Sequence, residues 1–101
     1  MTRKYGRVDT NQRRIVLALR QVGASVATLS DAGAGVPDLL VGYRGLTLLM
    51  EVKDGSKPPS QRKLTKDQEQ WHGRWRGGPC LVVISAEDAL MQAQTAWRKR
   101  C

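Results

Sequence analysis

The sequence predicts one α/β domain: a mixed β-sheet flanked by helices, in the order helix, three strands, helix, strand, helix. Three observations carry this. Apolar residues recur at helical spacing in three stretches, near residues 9–21, 65–76 and 86–98. Short apolar runs of strand length, rich in Leu and Val, lie between them, and Gly and Pro clusters punctuate the whole. The length, 101 residues, suits a single domain with a modest core.

Residues 1–8 read as a basic arm and 9–101 as the domain. In the first helix, expected over 9–21, Ile15, Val16 and Leu19 form an apolar stripe, Asp9 with Gln12 reads as a capping box, and Gly23 ends the run. Residues 25–29 read as a short strand. Residues 30–37 contain Gly33, Gly35 and Pro37 and form a loop. Strands over 38–41 and 46–53 are joined by a turn at 42–45 into a hairpin. Residues 54–62, with Gly55, Pro58 and Pro59 among cations, are expected as an exposed loop without regular structure. The second helix carries Leu64, Gln68, Trp71 and Trp75 along one inward face, and Gly77, Gly78 and Pro79 break it. Val82, Val83 and Ile84 mark a buried strand. Ser85 caps the last helix with Asp88 three residues on, and Ala89, Leu90, Ala93, Ala96 and Trp97 point inward.

Composition narrows the function. Seventeen Lys and Arg oppose nine Asp and Glu, a formal net charge of +8. Such a domain attracts polyanions, nucleic acid first. A membrane surface is the weaker reading, because no Lys-rich amphipathic helix presents a continuous apolar face. No apolar stretch is long enough to span a bilayer, the N-terminal residues show no secretory apolar region, and Cys80 and Cys101 do not form a disulfide framework, so an intracellular, reduced setting is expected. There is no Ser-His-Asp grouping with useful spacing, no phosphate-cradling glycine loop and no zinc ligand set. The single histidine, His72, reads as a surface or otherwise satisfied residue, and the tryptophans as core or dimer contacts.

The stretch that carries chemistry is Pro37-Asp38 followed by Glu51-Val52-Lys53. If Gly42 and Gly45 close the turn, Asp38 lies opposite Leu49. Because alternate strand residues share a face, Asp38, Leu49, Glu51 and Lys53 then point the same way. Glu51 becomes the diagonal neighbour of Asp38, roughly 7–8 Å away between backbones. Converging carboxylates repel unless a cation or a proton sits with them. Mg²⁺ suits oxygen ligands and keeps several waters of its own. Val52 faces the core, and the Lys53 ammonium stands ready to orient a water or steady charge on a phosphate.

These residues resemble the PD-(D/E)xK signature of restriction-endonuclease-like nucleases. More of the chain is similar to one branch, the virus-type replication-repair nuclease family, VRR-NUC: a glycine-containing loop before Pro37-Asp38-Leu39-Leu40-Val41-Gly42, then Glu51-Val52-Lys53, then Leu64-Thr65-Lys66-Asp67-Gln68 with Trp71, then Gly77-Gly78 before an apolar strand, and Ser85-Ala86-Glu87-Asp88-Ala89. The resemblance spans about residues 9 to 90. It implies a restriction-endonuclease-like core and Mg²⁺- or Mn²⁺-dependent hydrolysis of DNA phosphodiesters. By match, Asp38 and Glu51 bind metal together with the backbone carbonyl of Val52, Lys53 is catalytic and Gln68 supports the site.

The family usually has a metal-approaching Glu on the first helix; no Glu precedes Glu51 here, leaving Asp9 as the acidic candidate, or Asn11 and Gln12 as neutral ones. Lys57, Arg62, Lys63 and Lys66 would grip the DNA backbone. Small members are similar to Holliday-junction resolvases, which implies a homodimer acting on branched or double-stranded DNA. A catalytically weak DNA-binding module on the same fold is the alternative, and a protein-interaction subunit a third.

Overall fold

The computed structural model describes the backbone of residues 3–100 and the side chains of residues 10–100. Its elements are helix α1 (Arg3–Gln21), strands β1 (Ser25–Thr28), β2 (Leu39–Tyr43) and β3 (Leu46–Val52), helix α2 (Lys66–Arg74), strand β4 (Cys80–Val83) and helix α3 (Ala86–Arg98). The expected αβββαβα order and mixed sheet are present. Strands run in the order β1-β2-β3-β4, antiparallel except for the parallel β3–β4 pair.

One face of the sheet carries the core. Leu39, Val41, Tyr43, Leu48, Met50, Val52 and Val83 pack against Ile15, Val16 and Leu19 of α1 and Ala89 and Ala93 of α3. The small alanines let α3 lie close to α1 and the sheet. On the opposite face stand Leu49 and Glu51, both buried, and Gln68 of α2 reaches Glu51 there.

Four local expectations are corrected. Helix α1 begins at Arg3, not at residue 9. No proline precedes Asp9, and Arg3, Lys4 and Arg7 favour helix enough to carry it through Gly6, so Asp9 is an interior position rather than the start of a capping box. The hairpin closes at Arg44-Gly45, with Tyr43 paired to Leu46, not between Gly42 and Gly45. Arg44 and Gly45 have φ of 51° and 85°, the two positive values a tight two-residue turn requires. The pairing therefore shifts by two residues: Leu39 faces Met50, and one step on, Asp38 stands level with Glu51 instead of Leu49. A two-residue shift preserves the faces, so Glu51 still points away from the core.

The third correction lies in the 54–62 loop, which contains a single 3₁₀ turn, Pro59–Gln61, started by the proline's fixed φ. The fourth concerns Trp75, which is not inward. Helix α2 ends at Arg74, and Trp75 is an extended C-cap, 38% exposed, stacked on Trp71 at 5.1 Å with its indole N–H donating to the Gly78 carbonyl at 2.7 Å. Other caps follow expectation: Ser85 Oγ accepts from the Asp88 N–H at 3.0 Å, and Asp88 Oδ2 accepts from the Ile84 N–H at 2.9 Å.

Gly35 couples the loop before β2 to α2. Its φ is +84°, and a Cβ there would fall 2.3 Å from the Asp67 carbonyl oxygen. Only glycine permits that approach. Among the described residues no helix is long and apolar enough to cross a membrane.

Candidate active site

Glu51 lies one residue before the end of β3 and is only 3% exposed. Asp38 immediately precedes β2, and its Oδ2 accepts the Val52 N–H at 2.8 Å. A ladder-like backbone donor thus fixes the aspartate beside the glutamate. Lys53, half-buried just beyond β3, sends its ammonium to Gln68 Oε1 at 2.8 Å. Gln68 Nε2 in turn donates to Glu51 Oε2 at 3.1 Å.

The local sequence explains why Gln68 is held so well. Thr65 and Gln68 form a capping box: Thr65 Oγ1 accepts from the Gln68 N–H at 3.2 Å, and Gln68 Oε1 accepts from the Thr65 N–H at 2.9 Å. The same amide therefore caps the start of α2 and spans the site.

Electrostatics follow from burial. Glu51 is pushed from 4.5 up to about 8, first by desolvation, then by the neighbouring Asp38 charge and a hydrogen bond between the two carboxyl groups; Lys53 pulls the other way. At neutral pH and without a cation, Glu51 keeps its proton. The same surroundings raise the Cys80 thiol, through burial and then Glu51. A divalent cation is the natural relief for two carboxyls in so poor a solvent, and two carboxylates with a backbone carbonyl suit a hard ion that retains waters. The residues fit such an ion, although among the described residues no three His, Cys, Asp or Glu side chains assemble a cluster of their own.

The structure brings Asp38, Glu51, Lys53 and Gln68 together. Val52 turns its side chain into the core and its N–H toward Asp38. Asn11 does not point a donor at the carboxylates: its Nδ2 donates to the Lys53 carbonyl at 2.8 Å and to the Ile84 carbonyl at 3.3 Å, binding α1 to the ends of β3 and β4. Gln12 is buried and donates to Ser30 Oγ at 3.3 Å. The side chain of Asp9 lies outside the described residues. Lys57, Lys63 and Lys66 are exposed, and Arg62 is tied to its own loop through the Lys57 carbonyl at 2.8 Å.

His72, expected as a surface or otherwise satisfied residue, is neither: its side chain is largely buried and its Nε2 has no hydrogen-bond partner. Its Nε2 lies 3.9 Å from Glu51 Oε1, with the imidazole largely buried and its pKa lowered by that burial and by Lys53. The signal was present: Gln68 and His72 are four residues apart and share a helix face.

A solved structure described as "VRR_NUC domain" matches this fold with a TM-score of 0.63 and 32% identity, over 88% of this chain and 92% of the other. The chain belongs to the VRR_NUC family. No family model matches, and no curated protein matches. The match spans most of both chains. VRR_NUC domains are nuclease-type, DNA-processing domains with a restriction-endonuclease-like core. In this VRR_NUC domain, Asp38, Glu51, Lys53 and Gln68 occupy the junction of β2, β3 and α2.

Proposed function

We propose that this VRR_NUC domain hydrolyses DNA phosphodiester bonds with the help of Mg²⁺ or Mn²⁺. One observation carries the reading: two carboxyls lie side by side, Glu51 buried with its pKa raised by desolvation and by Asp38, and the Lys53 ammonium tethered to the same group through Gln68. Asp38, Glu51 and the Val52 carbonyl would hold the ion, with Asp9 as the acidic candidate on α1. When bound, the ion supplies Lewis acidity and neutralises phosphate charge.

The protein's own groups do the rest. Lys53 orients the attacking water and stabilises charge developing on the phosphate. Gln68 keeps the lysine from swinging away. Lys57, Arg62, Lys63 and Lys66 hold the sugar-phosphate backbone. A homodimer would present two such sites across a twofold axis, suited to symmetric cuts in branched or double-stranded DNA, and residues 9–101 would form its unit. Such a reading places the protein inside the cell, where DNA is.

Cleavage of linear, flap and four-way DNA with Mg²⁺ or Mn²⁺ tests this. Glu51→Gln should cut about 10³-fold more slowly while DNA binding persists, as loss of several kcal/mol of charge stabilisation requires. Wild-type protein that binds DNA but never cuts it would support the alternative, a DNA-binding module with little or no catalysis. The lack, among the described residues, of a third acidic group beside Asp38 and Glu51 favours that alternative.

A further inference from the structure

The two oxygens of Glu51 are not treated alike. Oε2 receives the Gln68 amide, whereas Oε1 has no hydrogen-bond partner, and neither has His72 Nε2, 3.9 Å away. Both atoms are shut off from solvent. The separation is too long for a hydrogen bond. Burying two polar atoms face to face without joining them is unfavourable unless another state of the site joins them.

We propose that His72 is a positioning residue for Glu51: when the carboxylate takes up its cation, the imidazole Nε2–H closes onto Oε1. Helix α2 then clamps both oxygens from successive turns, Gln68 on one and His72 on the other, and fixes the rotation of the carboxylate. Each oxygen retains a second lone pair for the cation. Because Glu51 Oε1 and His72 Nε2 are both inaccessible to solvent, His72 acts through Glu51 rather than on ion or substrate. This inference rests on the metal-dependent reading above.

The test compares His72→Leu and His72→Gln by Mn²⁺ titration, followed by electron paramagnetic resonance, alongside cleavage kinetics. The leucine variant should bind Mn²⁺ about 10–100-fold more weakly, the usual loss when a partner of a metal ligand is removed, and lose kcat with an unchanged KM for DNA. Glutamine, which keeps an N–H donor, should recover most of the affinity. Pulsed spectra of the wild type should show no nitrogen bound directly to Mn²⁺. Wild-type affinity in His72→Leu, equal loss in both variants, or directly bound nitrogen would each overturn the proposal. If the leucine variant does not fold, a glutamine variant as impaired as an unrelated ligand loss overturns it, and near-native affinity sustains it. Wild-type protein that binds no Mn²⁺ overturns the nuclease reading as well, whereas a wild type that binds and cuts beside an unaffected leucine variant overturns this inference alone.

Discussion

Gln68 and Glu51 meet at 3.1 Å, Nε2 to Oε2, while the other end of the same amide accepts both the Lys53 ammonium and the Thr65 N–H. One side chain therefore serves helix capping, lysine placement and carboxylate orientation. These roles separate by substitution. Gln68→Glu keeps an acceptor for Thr65 and Lys53 but loses the donor to Glu51 and adds a negative charge beside it. Its thermal stability should stay close to wild type, while cleavage falls by at least tenfold. Gln68→Ala loses both, and should cost about 1 kcal/mol in denaturant unfolding through the cap alone. Equal stability losses in the two variants would sink the dual role.

The pKa of Glu51 makes metal-free stability depend on pH. The carboxyl rises from 4.5 to about 8 on folding, so the folded state binds the proton more tightly than the unfolded chain. Its stabilisation is complete below about 4.5 and is lost as pH rises through about 8. The melting temperature of the metal-free protein should fall across that window, and Glu51→Gln should flatten the fall. A slope identical in both proteins would refute the assignment.

A divalent ion competes with that same proton, so its affinity should increase with pH over the window. Saturating Mn²⁺ should raise the melting temperature more at pH 8 than at pH 6. At a concentration 100 times Kd, the gain corresponds to about 2.7 kcal/mol. Chelation should reverse it, and scanning calorimetry with and without a chelator measures the difference.

Gly35 and Gly33 form a matched pair. Both have positive φ, but a Cβ at Gly35 meets the Asp67 carbonyl oxygen at 2.3 Å, whereas one at Gly33 meets nothing within 4 Å. Gly33→Ala should cost about 1 kcal/mol, the conformational penalty alone. Gly35→Ala should cost more and should also displace the N-terminus of α2, lowering cleavage through Gln68. Urea unfolding and a cleavage assay on the same samples decide this.

Lys63 and Lys66 are exposed beside the site. If they meet DNA phosphates, replacing either with Ala should weaken binding similarly across sequences and lower the salt slope of log K by about one. An unchanged slope would place them off the DNA path.

Much of the candidate site was legible because it is local chemistry at fixed spacing. Asp38 and the Glu51-Val52-Lys53 alternation declare a face, and Ser85 with Asp88 a cap, within a few residues. The Thr65–Gln68 capping box is equally local but emerged only from the structure. The less legible features depend on distant partners. The hairpin register turned on whether Arg44 would accept a positive φ, which its residue type does not advertise. Trp75 shares the helical spacing of Trp71, yet its indole finds the Gly78 carbonyl and the helix stops short.

By itself, then, the sequence determined the αβββαβα order, the basic character and which side chains would share the face of Glu51, because hydrophobic period, charge and alternation are properties of neighbours along the chain. Only the tertiary structure decided that Asp38 stands level with Glu51, that Glu51 is buried enough to hold a proton at neutral pH, and that His72 faces it. Those depend on how closely β2, β3 and α2 approach, and desolvation and distance arise from packing between segments remote in sequence.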